Sequence, residues 1–322
     1  MLRSPSFWKK KSIISFFLLP FSFFYYVGYR IYRLSKKEVE IGKPVLCIGN
    51  LVMGGAGKTP LVVKIRQLLS NDFSKIFVLT RGYLGKNSGP IIVKKTMHFL
   101  DIGDESLIHA NFGLTCVSKN KIEGAKFCKK NGADLIILDD GLQSINVKKK
   151  MSLLVIDSSY GINNRFLIPS GPYRQPASDA FKSCDAVIIL DKNFNKRKYD
   201  FISHKNIYNG YRELKFTRNI KNKVIAFSAL GNNQNFLENL RDHNINVVEF
   251  ISFPDHHKFS IIEITNIIEK SKKKKLSVIC TRKDYIKVPD KFKKKICVAD
   301  LNIKINNSKK LKQLILKTLK ER

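Results

Sequence analysis

The sequence predicts an α/β protein: a P-loop-containing parallel α/β sandwich with a smaller C-terminal α/β domain and an N-terminal membrane-associated helix. Three observations carry this expectation. Short apolar runs alternate with helix-length segments along most of the chain, the pattern of parallel strands covered by helices. A glycine-rich Lys-Thr loop sits between the first such run and the first such helix. Near the N-terminus, Ser12 to Tyr29 is free of charge and dense in Phe, Leu, Ile and Tyr.

That N-terminal stretch would span roughly 27 Å as a helix, close to a bilayer core of about 30 Å. Arg3, Lys9, Lys10 and Lys11 precede it, and Arg30, Arg33, Lys36 and Lys37 follow it. Positive charge on both flanks leaves orientation open under the positive-inside rule. Pro20 in the middle would kink a spanning helix into a segment that dips in and returns, and a membrane anchor or interfacial helix is the favoured reading. A buried core helix is the remaining alternative. No small-residue cleavage site follows, which argues against a signal peptide.

The strand candidates after this anchor are Val45–Ile48, Ile76–Thr80, Leu135–Asp139, Leu153–Asp157 and Ala186–Leu190. Val224–Phe227, Val247–Phe250, Val278–Thr281 and Cys297–Ala299 follow. Helical periodicity is expected in Leu61–Leu69, Glu105–Asn111, Lys121–Asn131, Asn235–Asp242, Ile261–Ser271 and Lys309–Lys320. The polar, basic stretch Lys192–Asn222 interrupts the alternation. The chain is therefore divided into an anchor over 1–37, a nucleotide-binding α/β domain over 38–200, a linker over 201–222 and a C-terminal α/β domain over 223–322.

A formal charge of +33 in 322 residues invites a nucleic-acid reading. No RNA-binding motif, zinc spacing or aromatic-rich basic arm accompanies it, so no nucleic-acid partner is expected. A positive surface equally suits anionic lipid or a phosphorylated substrate. The six cysteines are scattered, without a C-x-x-C pair, which argues for a reducing compartment and against a disulfide framework.

The chemistry concentrates in a few places. In Ile48-Gly49-Asn50-Leu51-Val52-Met53-Gly54-Gly55-Ala56-Gly57-Lys58-Thr59-Pro60, bare backbone N–H groups and a helix N-terminus suit phosphate oxygens. Lys58 would reach the β- and γ-phosphates and the Thr59 hydroxyl would sit on Mg²⁺. The common spacing wants glycine at position 52, where this chain has Val52. Leu135 to Leu138 is an apolar strand ending in Asp139 and Asp140, as expected of a second nucleotide-site strand that brings an acid to Mg²⁺ or its water shell. Adjacent side chains at a strand end diverge, so one can face metal and the other substrate.

Further candidates are Thr80-Arg81-Gly82-Tyr83, Gly103-Asp104-Glu105, Pro169-Ser170-Gly171-Pro172-Tyr173-Arg174 and Phe253-Pro254-Asp255-His256-His257-Lys258-Phe259. Acids at 104 and 105 also suit simple helix capping. His256 and His257 suit acid–base work, with metal binding as the rival. The guanine-recognition motif is absent, because Thr281-Arg282-Lys283-Asp284 has the wrong order. ATP is the expected nucleotide. A membrane-associated partition-type regulatory ATPase, which shares Gly-Gly-x-Gly-Lys-Thr, is the alternative to a kinase; it would need no Asp–His base.

Taken in order, I-G-N-x-x-x-G-G-x-G-K-T-P, T-R-G-Y, G-D-E, D-D-G-x-Q, P-x-G-P-x-R, A-F-x-x-x-G, F-x-D-H-x-x-F and T-x-K-D resemble the tetraacyldisaccharide 4'-kinase family of lipid A biosynthesis over nearly the whole chain. The resemblance implies ATP- and Mg²⁺-dependent phosphorylation of the 4'-hydroxyl of a tetraacyldisaccharide 1-phosphate, forming lipid IVA at the cytoplasmic face of a bacterial inner membrane. No obligate protein partner is expected. The resemblance implies a base dyad of Asp104 and His256, with Asp140 completing the catalytic set. ATP would be held by Asn50, Met53, Gly54, Gly55, Ala56, Gly57, Lys58, Thr59 and Pro60, and the metal by Thr59 and Asp139. Arg81, Tyr83, Lys121, Ser144 and Arg174 would meet the acylated disaccharide. The chain departs from the family's pattern at Lys121, where arginine is usual, at Ser144, where histidine is usual, and at Gln175, where glutamate is usual.

Overall fold

The computed structural model describes residues 5–53, 57–158, 163–202, 206–220 and 223–321. The chain forms two compact units. The larger runs to Tyr211 and resumes at Ile303, and the smaller is Arg212–Asn302.

In the larger unit the order is α1 (Ile13–Phe17), α2 (Leu19–Ser35), β1 (Val45–Asn50), α3 (Lys58–Leu69), β2 (Ile76–Thr80), β3 (Ile91–Ile92), α4 (Phe99–Ile102), α5 (Asp104–Phe112), β4 (Thr115–Val117) and α6 (Lys121–Lys130). Then come β5 (Leu135–Asp139), β6 (Met151–Asp157), α7 (Ala177–Ser183), β7 (Ala186–Leu190) and the start of β8 (Ile207–Phe216). Strand order is β8-β7-β6-β1-β5-β2-β4-β3, parallel except for the β3–β4 edge pair. The strands alternate between two buried faces. Val45, Cys47, Ile136 and Leu138 point into one apolar cluster, and Leu46, Ile48, Leu135 and Ile137 into the other. Continuous apolar runs are what a parallel sheet covered on both faces requires. β1 and β5 are adjacent, with Ile48 opposite Asp139, so the phosphate loop and the paired acids leave the sheet side by side.

The smaller unit contains β9 (Lys223–Ser228), α8 (Asn233–Asp242), β10 (Asn246–Ser252), α9 (Ile261–Lys273), β11 (Ser277–Thr281), α10 (Arg282–Tyr285), α11 (Asp290–Lys293) and β12 (Ile296–Ile305). Its strands run β10-β9-β11-β12, all parallel. The final helix α12 (Ser308–Lys320) follows.

Two boundaries differ from expectation. The segment 201–222 holds strand β8, whose first half pairs in parallel with β7 from Ile207 to Gly210, so it is sheet rather than linker. The chain returns to the larger unit at Ile303, because Leu311, Ile315 and Leu319 of α12 share a cluster with Leu61, Ile65 and Leu69 of α3. A C-terminal domain over 223–322 is therefore too long by that helix.

The N-terminal stretch is two helices. Ser12 caps α1 by accepting from Ser15 N at 3.2 Å, and Pro20 sits in the first turn of α2, where its missing N–H is harmless. Among the described residues no helix is long and apolar enough to cross a membrane. The inward face of this pair is polar. The Ser22 hydroxyl donates to Leu167 O at 2.8 Å, Asn164 Nδ2 donates to Ser15 Oγ at 3.1 Å, and the Tyr25 hydroxyl donates to Arg174 O at 2.8 Å. The outward face is apolar: Ile13, Phe17, Phe23, Phe24, Ile31 and Leu34 are all more than 60% exposed.

Candidate active site

The phosphate loop is framed on both sides. α3 starts at Lys58, capped by Gly57 in the left-handed region at φ +68°, a conformation glycine adopts without steric cost. Lys58, Thr59 and Pro60 form its first turn, where proline is tolerated. Gly54, Gly55 and Ala56 lie outside the described residues. Val52 makes an antiparallel bridge with Tyr173, Met53 N donates to Pro172 O at 2.9 Å, and Arg174 N donates to Leu51 O at 2.9 Å. Position 52 is thus extended and strand-like, which suits a β-branched residue and explains why glycine is dispensable there.

Four polar side chains converge where β1 and β5 end. Arg174 donates to both Asp140 oxygens, at 3.1 Å from Nη1 and 2.8 Å from Nη2. Lys58 Nζ lies 3.6 Å from Asp140 Oδ2 and donates to Asn50 Oδ1 at 3.1 Å. The Asn50 side-chain oxygen also accepts from Arg174, and the Asn50 carbonyl accepts from Gln143 Nε2 at 2.9 Å. Burial alone would raise the Asp140 pKa. Lys58 and Arg174, with help from Lys121, outweigh it and hold the carboxyl well below the usual range. Asp140 adopts a left-handed backbone at φ +57°, and its carbonyl accepts from Lys121 Nζ at 2.6 Å. The Lys121 ammonium, its pKa lowered by burial, therefore braces this turn. Ser144 closes the same turn, with its N–H on Gly141 O at 3.0 Å.

Asp139 points elsewhere. Its Oδ2 lies 2.8 Å from His109 Nε2 on α5, both side chains are buried, and Oδ1 has no partner among the described residues. The two strand-end acids diverge as their positions in a strand require.

The Thr80-Arg81-Gly82-Tyr83 and Gly103-Asp104-Glu105 motifs are brought together. Lys86 and Asn87 N–H groups donate to Leu100 and Asp101 carbonyls, pinning the two turns to each other. Gly103 caps α5 at φ +82°, ψ 149°, and a Cβ there would sit 2.4 Å from Tyr83 O. Gly103→Ala is expected to destabilise the fold by at least about 1–3 kcal/mol, the usual cost of a side chain in that backbone region. It should also displace Asp104; urea unfolding and turnover measured together check this. Arg81 and Tyr83 are exposed, while Asp104 is buried at the start of α5. A cavity of about 440 Å³ opens beside Arg174, lined by Tyr25, Gly28, Tyr29, Tyr32, Gln143 and Arg174.

The remaining motifs meet in the smaller unit. Lys283 Nζ lies 3.1 Å from His256 Nε2 and 3.2 Å from Asp255 Oδ1. Asp284 accepts from Ala229 N at 3.1 Å, joining T-x-K-D to A-F-x-x-x-G. His256 has φ +61°, and its neighbour His257 is bonded to Glu263 at 3.0 Å. Asp104 and His256 thus belong to different units.

A family model described as tetraacyldisaccharide-1-P 4'-kinase matches residues 14–320. The chain belongs to that kinase family. A tetraacyldisaccharide 4'-kinase from Rickettsia canadensis (strain McKiel) is 31% identical over 316 residues, covering 97% of this chain and 96% of the relative. One from Rhodopseudomonas palustris (strain BisB5) is 33% identical over 301 residues, covering 90% and 88%. The crystal structure of LpxK from Aquifex aeolicus in complex with ATP superposes with a TM-score of 0.79 at 25% identity, covering 95% of this chain and 100% of that one.

Within this tetraacyldisaccharide 4'-kinase family member, some site residues escape sequence reasoning. His109 carries no local cue, because its partner Asp139 is 30 residues away on a strand. Gln143 sits inside D-D-G-x-Q, yet its target is the Asn50 carbonyl. Tyr25, Tyr29 and Tyr32 are spaced on one side of α2 and read as part of an anchor until the cavity shows them facing Arg174. Gln175 is buried, and neither amide atom has a partner among the described residues.

Proposed function

We propose that the protein transfers the γ-phosphoryl group of ATP to the 4'-hydroxyl of tetraacyldisaccharide 1-phosphate, giving lipid IVA and ADP. Beyond family membership, the observation that supports this reading is the convergence of Lys58, Asn50, Asp140 and Arg174 at the ends of two adjacent parallel strands. Ligands in such sheets bind at the carboxyl ends of strands. Lys58 meets the β- and γ-phosphates, and backbone N–H groups at the start of α3 meet their oxygens. Asp104 accepts the proton of the 4'-hydroxyl as its oxygen bonds to the γ-phosphorus and the bond from that phosphorus to the bridging oxygen of ADP breaks. The family resemblance adds His256 to the catalytic set. Arg81, Tyr83, Lys121, Ser144 and Arg174 serve the acceptor side, and the tyrosine-lined cavity beside Arg174 is roomy enough for sugar.

Mg²⁺ fits the residues present. A hard cation takes oxygen ligands, and the Thr59 hydroxyl and the buried Oδ1 of Asp139, which has no partner among the described residues, would supply them. Bound there, the ion would neutralise charge on the transferred phosphate. Asp140, already paired with Arg174 and Lys58, is left to organise the site rather than to ligate metal.

The outward apolar face of α1 and α2 suits the interface of an anionic bilayer, with Lys9–Lys11, Arg30 and Arg33 flanking it. Replacing Phe17, Phe23 and Phe24 with serine is expected to weaken binding to phosphatidylglycerol vesicles by at least about tenfold, since burying one Phe contributes about 1.5–3 kcal/mol. Flotation assays measure this, and activity on detergent-dispersed substrate should persist. The deciding experiment for the reaction is incubation with ATP, Mg²⁺ and tetraacyldisaccharide 1-phosphate, followed by mass detection of one added phosphate. Lipid-independent ATP hydrolysis without that product would refute the kinase reading.

A further inference from the structure

We propose that His109 is a positioning residue for Asp139, holding its carboxylate with one oxygen occupied and the other presented to the nucleotide-bound cation. This rests on the role given to Asp139 above. His109 is 1% exposed and Asp139 3% exposed, and Nε2 lies 2.8 Å from Oδ2. The bond places the imidazole proton on Nε2, donating to the carboxylate. His109 Nδ1 is buried and has no partner among the described residues, so the bond to Asp139 is the ring's one polar contact among them.

The two adjacent acids are held differently. Asp140 is compensated by a guanidinium and an ammonium, which spend its charge within the protein. Asp139 is held at one oxygen by a single ring nitrogen, which fixes the carboxylate plane and leaves Oδ1 for a cation. A terminal carboxylate torsion is otherwise broad and roughly two-fold, so a free Asp139 would sample orientations that turn Oδ1 away. Outer partners of metal-binding side chains act in this way, and their loss typically lowers metal affinity by about 10–100-fold. The same bond fastens α5 to β5. Because α5 begins at Asp104, His109 ties the helix of the proposed base to the strand of the proposed metal acid.

The test uses His109→Leu, which keeps bulk and removes the donor, and His109→Gln, whose amide nitrogen reaches a similar position. The readout is the gain in affinity for AMP-PNP that Mg²⁺ confers, from calorimetric titrations with and without the metal. His109→Leu is expected to shrink that gain by about tenfold or more while leaving metal-free binding unchanged. His109→Gln should restore most of it. Should His109→Leu fail to fold, His109→Asn, too short to reach Oδ2, replaces it. An undiminished Mg²⁺ gain, or an equal loss with and without metal, would overturn the proposal. Asp139→Asn is the companion measurement. If it also leaves the Mg²⁺ gain intact, the metal role of Asp139 fails; if it abolishes the gain while His109→Leu does not, only the role of His109 fails.

Discussion

Asp104→Ala is expected to lower the rate of phosphoryl transfer to the acylated disaccharide by about 10²–10⁴-fold, the usual contribution of a general base, with ATP binding retained. The two effects separate because Asp104 stands on α5, against the Arg81–Tyr83 turn, while the phosphate-binding groups stand on β1, α3 and β5. Asp104→Asn sharpens the test. It keeps shape and hydrogen bonding but accepts no proton, so the loss should be nearly the same, whereas a purely structural role would be rescued. Unchanged turnover in Asp104→Asn would sink the assignment. His256 enters through coupling, since it lies in the smaller unit. Residues that act as one catalytic unit are strongly non-additive. The double variant Asp104→Ala/His256→Ala should therefore be about as slow as the slower single variant. Losses that multiply would mean the two residues act separately.

What was legible in the sequence follows from how local each feature is. Strands β1, β2, β5, β6 and β7 are short apolar runs because both of their faces are buried, and such runs stand out without any partner. Strand β8 did not. Its residues alternate polar and apolar without full burial, and Asn209, Arg212, Glu213 and Lys215 made it read as a connection. The two-residue β3 and three-residue β4 are too short to show a period. The helical face of α12 was visible, but its destination was not, because membership of a unit depends on contacts some 250 residues apart. The site divides in the same way. Lys58, Thr59, Asp139 and Asp140 announce themselves by sitting at strand ends in tight motifs. That Asp140 is bound by Arg174 while Asp139 is bound by His109 is tertiary information.

Lys58→Ala should reduce both nucleotide affinity and turnover, with kcat falling by about 10²–10³-fold, as for loss of one preorganised charge-stabilising donor. The Lys58 ammonium donates to Asn50 Oδ1 at 3.1 Å and lies 3.6 Å from Asp140 Oδ2. Lys58→Arg is not a safe replacement, because a planar fork does not substitute for a compact point charge within a tight loop. The fold should survive Lys58→Ala, since Arg174 still grips both oxygens of Asp140. A subtler consequence is readable in stability against pH. The Asp140 pKa is lowered in the folded protein, in part by Lys58. Its stabilisation is therefore fully present above the unfolded value of about 3.9 and is lost as pH falls through the lower folded value. Removing Lys58 brings the folded value back toward the unfolded one. Urea unfolding should show the variant less stable than the parent at neutral pH, with the gap closing as the pH is taken below about 4. A gap that stays constant through acid would mean that Lys58 stabilises the fold by packing rather than by its charge on Asp140.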